Sequence, residues 1–248
     1  MHRFFTSEKN ISKNKITLYG EDVDHIRKVL RCRAGDAVVI SDGRDYEYNC
    51  TISSIDKKEV ICEINEKRPN VTEAEIKIHL YQGIPKAAKM DLIIQKCTEL
   101  GVHSITPVNM DRAVVKFDNK ENDNKLTRWR RIAEEAAKQS CRGRIPHIFE
   151  PMDFDDVLND IKDYDMAIMP YEREDKLGLK HILNDEKACK DIAVIIGPEG
   201  GFSDKEVIKA NEAGIVTVTL GPRILRTETA GFTCLAILMY ELGDMGGE

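Results

Sequence analysis

No stretch of this 248-residue sequence is apolar for long enough to cross a membrane. The longest, residues 232–240, falls far short of the roughly 20 residues that a spanning helix needs. Behind Met1-His2-Arg3-Phe4-Phe5 there is no apolar region of the kind a secretory signal carries, so a cytoplasmic protein is expected. The seven cysteines, at 32, 50, 62, 97, 141, 189 and 234, are scattered and form no CxxC pair. An odd, dispersed set argues against a disulfide framework or a zinc site and for a reducing compartment. Internal repeats and low-complexity tracts are missing as well. No Gly-Lys-Ser/Thr follows the glycine-rich turn at 197–202, which excludes a P-loop, and no GxGxxG stands there, which excludes a Rossmann fingerprint.

What is present is enough apolar sequence, 42%, for a full core, with 32% charged residues for its surface. The length allows one or two domains. The net charge of −6 hides an uneven distribution. Residues 125–144 carry seven basic side chains (Lys125, Arg128, Arg130, Arg131, Lys138, Arg142 and Arg144) against two acidic ones. Residues 150–175 carry ten acidic and two basic ones. A polyanion would meet the local field rather than the sum. From composition alone, the basic run reads first as a solvated helix face.

Residues 1–70 read as short strands with one helix. Residues 16–18, 37–40 and 60–64 are β runs, and Asp42-Gly43 is a hairpin signal. Tyr46, Tyr48, Cys50 and Ile52 alternate with polar residues, as on a half-buried strand. In 22–30, Val23, Ile26, Val29 and Leu30 share a helical face. The set resembles a small β-barrel, followed by a polar linker at 67–73. From residue 76 strands and helices alternate: strands at 76–81, 104–108, 165–169, 192–196 and 215–220, and helices at 86–100, 127–140 and 227–242. The helix at 127–140 should bury Trp129, Ile132, Ala133 and Ala136 and turn its arginines outward. This alternation predicts an α/β domain with a mostly parallel sheet over 71–248.

Two loops stand out. Gly197-Pro198-Glu199-Gly200-Gly201-Phe202 follows the apolar strand 192–196 and precedes a helix start in which Ser203 and Glu206 form a capping box. Such a turn sits in the crevice at the carboxyl ends of the strands, where α/β sheets bind ligands. The second, 220–230, repeats the arrangement, placing Arg223, Arg226, Glu228, Thr227 and Thr229 at the mouth of a helix that is apolar nearly all round. That helix must be buried against its own domain or a partner.

The chain carries further stretches in a definite order. They are Met1-His2-Arg3-Phe4-Phe5, residues 25–31, Gln82-Gly83-Ile84-Pro85-Lys86 with Lys89-Met90-Asp91, residues 95–101, residues 129–140 with Arg142 and Pro146, residues 196–202, and Leu220-Gly221 with residues 223–230. Together they resemble the RsmE family of ribosomal RNA methyltransferases, a branch of the SPOUT (trefoil-knot) superfamily. The resemblance implies an α/β fold: a C-terminal trefoil-knotted SPOUT methyltransferase domain, here 71–248, behind an N-terminal PUA-like β-barrel, here 1–70. It implies S-adenosyl-L-methionine as cofactor, methylation of N3 of a uridine in 16S ribosomal RNA within the small ribosomal subunit, a homodimer, and no metal. The cofactor would be held around Gly197, Glu199, Gly200, Gly201, Leu220, Gly221, Ile224 and Leu225, with Met169 lining the same crevice. Arg226 would stabilise the uridine anion and Glu228 would be the candidate base. RNA phosphates would meet Arg128, Arg131, Arg142 and Arg144 on the basic helix and Arg27, Arg31 and Arg33 in the barrel. The dimer would form through apolar residues of 230–242, unless the helix at 86–100 covers them. The rival readings are a non-catalytic RNA-binding assembly factor, against which the intact glycines argue, and a methyltransferase acting on transfer RNA, against which the barrel argues.

Overall fold

The structure is a computed structural model that describes residues 1–114, 122–185 and 189–247. Two compact units are present, Met1–Glu73 with Ala137–Ile145, and Ala74–Ala136 with Pro146–Glu248.

The first unit holds β1 (His2–Phe5), β2 (Lys15–Tyr19), α1 (Glu21–Asp24), β3 (Ala37–Ser41), β4 (Tyr46–Ile55) and β5 (Glu59–Pro69). Its sheet runs β1-β3-β4-β5-β2. Only the β1–β3 pair is parallel. The Asp42 carboxylate accepts from the N–H groups of Arg44 (2.8 Å) and Tyr46 (3.1 Å), which closes the hairpin between β3 and β4. The sheet curls around Phe4, Ile16, Leu18, Val38, Ile40 and Ile52, all buried.

Two expectations fail in this unit. The helix expected over 22–30 is α1 followed by a π-helical turn, His25–Leu30. The wider turn rotates Val29 out of the apolar face, leaving it 67% exposed, while Val23 and Ile26 stay buried. The linker expected at 67–73 begins inside β5, where Lys67, Arg68 and Pro69 pair with Tyr48, Glu47 and Tyr46. This end of β5 reads like a linker because residues 65–69 are all exposed; what holds it is pairing with β4, where Arg68 reaches the buried Glu47 that also pairs with Arg3.

The second unit holds β6 (Lys77–Gly83), α2 (Lys89–Glu99), β7 (Ser104–Asn109), α3 (Asn122–Gln139), β8 (His147–Ile148), β9 (Met152–Asp153), α4 (Phe154–Asp160), β10 (Met166–Pro170), α5 (Leu179–Asp185), β11 (Asp191–Ile196), α6 (Asp204–Glu212), β12 (Val216–Val218) and α7 (Thr227–Glu241). The last residues of α3 fall with the first unit. The sheet order is β12-β10-β11-β6-β7-β8, with β9 also on β7, and every pair is parallel. Parallel neighbours need crossovers, which the helices supply. β11 is central, and its apolar run Ile192–Ile196 is buried throughout.

Within α3, Trp129, Ala133 and Ala136 are buried as expected, and Ile132 is half-buried. α2 starts three residues later than expected, since Ala87 has φ +55° and breaks the helical run behind Pro85. α7 packs on α2 and on β6 and β11. Its residues Cys234, Leu235, Leu238 and Met239 are buried within the chain.

Candidate active site

The carboxyl ends of β10, β11 and β12 open into a cleft of about 960 Å³. Three segments line it: 170–175 after β10, 196–202 after β11, and 219–227 leading into α7.

The segment after β11 turns sharply. The Gly201 N–H donates to the Pro198 carbonyl (2.9 Å), and Gly201 takes φ +67°, a conformation that costs a side-chain-bearing residue strain. Phe202 then anchors the turn in the core beside Tyr81, Val108 and Met169. The expected capping box is formed: Ser203 Oγ accepts from the Glu206 N–H (3.2 Å), and Glu206 accepts from the Ser203 N–H (2.7 Å). The second oxygen of Glu206 accepts from the Asp111 N–H (2.8 Å), so the cap also fixes the chain after β7.

The segment after β12 is more open. Thr219 Oγ1 accepts from the Gly221 N–H (3.2 Å) and Gly221 has φ +109°. A Cβ on Gly221 would meet nothing within 4 Å, whereas one on Gly200 would lie 2.9 Å from Arg112 Cβ and its carbonyl oxygen. The N–H groups of Ile224, Leu225 and Arg226 donate to no other described residue. Ile224 is 85% exposed at the cleft, an apolar side chain without a protein neighbour to justify it.

A buried chain of hydrogen bonds joins the two segments. Gln82 Nε2 on β6 donates to Thr227 Oγ1 (2.9 Å), which donates to the Gly197 carbonyl (2.6 Å). Across the mouth, Glu199 accepts from the Lys86 N–H (3.1 and 3.3 Å) and from Lys89 Nζ (3.0 Å), and the same nitrogen lies 3.5 Å from Glu228 Oε2. Burial pushes the Glu199 carboxyl up, but Lys89 and the backbone N–H groups outweigh it and hold it below the usual carboxylate range. Glu174 is also held low, because it accepts from the N–H groups of Lys176 and Leu177 and from Thr217 Oγ1. Its ionised carboxylate rims the cleft together with Glu172 and Asp175.

The cleft gathers Gly197, Glu199, Gly200, Gly201, Leu220, Gly221, Ile224, Leu225 and Arg226. It does not gather Met169, whose side chain is fully buried among Tyr81, Phe202 and Ile195; the alternation of β10 turns it into the core while its neighbour Pro170 reaches the cleft. Glu228 is likewise displaced: its carboxylate faces Lys89, is half-buried, and does not line the cleft. The Arg226 guanidinium is exposed and makes no hydrogen bond or ion pair with a described residue. Sequence reasoning gave no role to Gln82, Lys89, Glu172 or Glu174; the polar Gln82 inside an apolar strand was the one local signal.

The basic residues separate into two groups. Arg27 is half-buried, while Arg31, Arg33 and Arg131 are exposed. Arg128 pairs with Asp91 but keeps 63% of its side chain in solvent. Arg142, expected at a phosphate surface, is instead buried in the first unit, with Nη2 2.6 Å from Glu73. The Glu73 carboxylate also accepts from the N–H groups of Gly143 and Arg144, and Arg144 is half-buried. Cutting such a pair leaves a charge buried and unmatched. Arg142→Ala is therefore expected to cost about 3–5 kcal/mol of stability, read as a lower urea midpoint; a midpoint within error of wild type would refute the assignment.

The residues fit a ligand with a flat apolar part, hydrogen-bond acceptors and a positive centre: exposed Ile224, unpaired loop N–H groups and a carboxylate rim lie together. Comparison with known proteins agrees in kind. Residues 72–239 match the RNA methyltransferase domain, and residues 18–65 the RNA methyltransferase PUA domain. Ribosomal RNA small subunit methyltransferase E of Bacillus subtilis (strain 168) is 34% identical over 255 residues, covering 100% of both chains. That of Aquifex aeolicus (strain VF5) is 34% identical, over 96% of this chain and 99% of its own. The crystal structure of the Neisseria gonorrhoeae enzyme of that name, bound to S-adenosyl methionine, superimposes with a TM-score of 0.90 at 30% identity, covering 99% of each chain. A Legionella pneumophila methyltransferase in complex with the same cofactor gives 0.89 at 32%, covering 98% of each. With two domain models in order, end-to-end relatives above 30% identity and a shared fold, the chain belongs to the ribosomal RNA small subunit methyltransferase E family.

Proposed function

We propose that this chain transfers a methyl group from S-adenosyl-L-methionine to N3 of a uridine in 16S ribosomal RNA, as a homodimer in the cytoplasm. The observation that carries the reading is the cleft at the carboxyl ends of β10–β12, with Arg226, which pairs with no described residue, beside two glycine-bearing loops. The relatives named for small-subunit ribosomal RNA, and a neighbour that holds the cofactor, support it.

When bound, the cofactor supplies an electrophilic methyl group on a sulfonium. The backbone of 197–201 and 220–225 would hold it, and the carboxylate rim suits its positive charge. Uridine N3 is a poor nucleophile while it keeps its proton. The Arg226 guanidinium, bonded to no described residue, is placed to stabilise the uracil anion as that proton leaves to solvent at the open mouth. Glu228 is withdrawn from this step by its place against Lys89, so we assign it no proton transfer. RNA would be gripped through phosphates by Arg27, Arg31 and Arg33 of residues 1–70, a PUA-like module, and by Arg128 and Arg131 of residues 71–248.

The test is mass-spectrometric mapping of methylated uridine in 16S ribosomal RNA from a deletion strain, with and without the gene restored. Unchanged methylation in the deletion would end the proposal. Binding of the cofactor with no methylation of any ribosomal uridine would favour the assembly-factor reading.

The dimer rests on α7. Leu238 is fully buried inside its own chain, so it is no seam residue. The free stripe is Phe232, Ala236 and Ile237, half-exposed, with Tyr240 65% exposed one turn on. Ile237→Glu is expected to reduce the mass in light scattering to that of a monomer, because a charge is forced into an apolar seam. A wild-type mass equal to the single chain of 28.1 kDa would refute the dimer itself.

A further inference from the structure

We propose that Lys89 is a positioning residue of this site: its ammonium, set between Glu199 and Glu228, ties the turn after β11 to the start of α7. The inference rests on the methyl-transfer reading above and concerns this chain's own residues.

Three elements meet at one nitrogen. Lys89 is the first residue of α2, Glu199 lies in the turn after β11, and Glu228 lies in the first turn of α7. Lys89 Nζ is 3.0 Å from Glu199 Oε1 and 3.5 Å from Glu228 Oε2. All three side chains are less than one-third exposed. The arrangement is not a surface pair of small worth, since one cation at the wall of a cleft serves two carboxylates from different elements, the turn after β11 and the start of α7. The Glu199 hydrogen bond holds the Lys89 ammonium above the usual lysine range, so it stays charged across the physiological interval.

Among the described residues no other cation replaces it. Lys86 reaches Glu199 through its backbone N–H alone, Arg226 forms no ion pair with described residues, and Arg128 is engaged with Asp91. From β6 the nearest polar side chain in the network, Gln82, is neutral and bonded to Thr227 and Gly83. Glu228 Oε2 is buried and has no hydrogen bond with a described residue, and Lys89 is the cation that faces it.

Removing the ammonium would leave two carboxylates whose oxygens stood 3.0 and 3.5 Å from the same nitrogen, with no cation between them. Like charges at that spacing raise each other's proton affinity by about one pH unit or more. Glu199, without the cation that holds it low, would take a proton at a higher pH than in the wild type, and with its charge the hydrogen bonds it accepts from the Lys86 N–H would weaken. The direction is fixed: cofactor affinity should fail at higher pH in the variant than in the wild type.

The experiment is calorimetric titration of the full chain with S-adenosylmethionine from about pH 5 to about pH 8, where carboxylates shifted this way titrate. Circular dichroism and melting would verify the fold. Lys89→Met is expected to weaken binding about tenfold at neutral pH, a typical coupling between linked sites, and to move the acid loss of affinity up by about one unit. Lys89→Arg should keep the wild-type profile. Glu228→Gln alone, which lightens the negative charge, should leave the acid loss at or below its wild-type position. The double variant Lys89→Met with Glu228→Gln should bring the loss back down, because the like-charge neighbour is gone. A Lys89→Met profile that superimposes on the wild type, or a double variant no different from Lys89→Met, overturns the proposal. Should Lys89→Met fail to fold, a Glu228→Gln profile shifted upward would overturn it equally. Failure of the wild type to bind S-adenosylmethionine would instead sink the functional reading beneath it.

Discussion

Arg226→Ala is expected to slow methyl transfer by roughly two to three decades, the usual loss when one charge-stabilising donor is removed. Affinity for the cofactor should hardly change. The separation follows from placement. Arg226 lines the cleft at its solvent side, and its guanidinium is bonded to nothing else described. It therefore holds no loop together, and its loss should be felt where charge develops on the reacting base. Arg226→Lys should recover only part of the rate, because a point charge does not reproduce a planar fork of donors. Single-turnover kinetics with saturating cofactor, beside calorimetric affinity, measures both quantities. Normal turnover in Arg226→Ala would remove the residue from the mechanism. A fall in cofactor affinity as large as the fall in rate would make it a binding residue instead.

Gly221→Val is expected to weaken cofactor binding by about 10- to 100-fold. The φ of +109° at this position is one that β-branched residues avoid, so the open loop of the variant relaxes in the free protein, and regaining the conformation that holds the cofactor costs about 1–3 kcal/mol. Each 1.4 kcal/mol is about a factor of ten in affinity. The new methyl groups would also enter a cleft where nothing now lies within 4 Å. Gly200→Val is the poorer test, since its first carbon already collides with the backbone at Arg112, and any loss would mix binding with folding. Wild-type affinity in a folded Gly221→Val protein would refute the place given to the cofactor.

Much of the site was legible because its signals are local. A glycine-rich turn after an apolar strand, followed by a capping box, spans about ten residues of chain, and the box forms as read. The charged mouth of α7 was legible for the same reason: Arg226 and Thr227 stand at the start of an otherwise apolar helix. Lys89 was not legible as part of the site. It lies far in sequence from Glu199 and Glu228, and only the parallel order β11-β6 brings its helix to theirs. Arg142 misled because a basic run does not say which of its members finds an acidic partner, and Glu73 was read as part of a loose linker.

By itself the sequence determined the class of fold, most of the longer strands and helices, and the two loops, since periodicity, turn chemistry and capping act over a few residues; it gave no sign of β1, of the two-residue strands β8 and β9, or of α4 and α5. It also carried the family, because many short stretches in fixed order are specific together. Tertiary structure alone decided which side chains face the cleft. Met169 and Pro170 are neighbours in one strand, yet the pleat sends the first into the core and the second to the ligand side. It alone decided that Leu238 is buried in its own chain while Ile237, one position earlier, is left half in water. In both cases a helix or strand offers several faces of similar composition. Which face is covered depends on elements that pack from elsewhere in the chain, and no local pattern records their arrival.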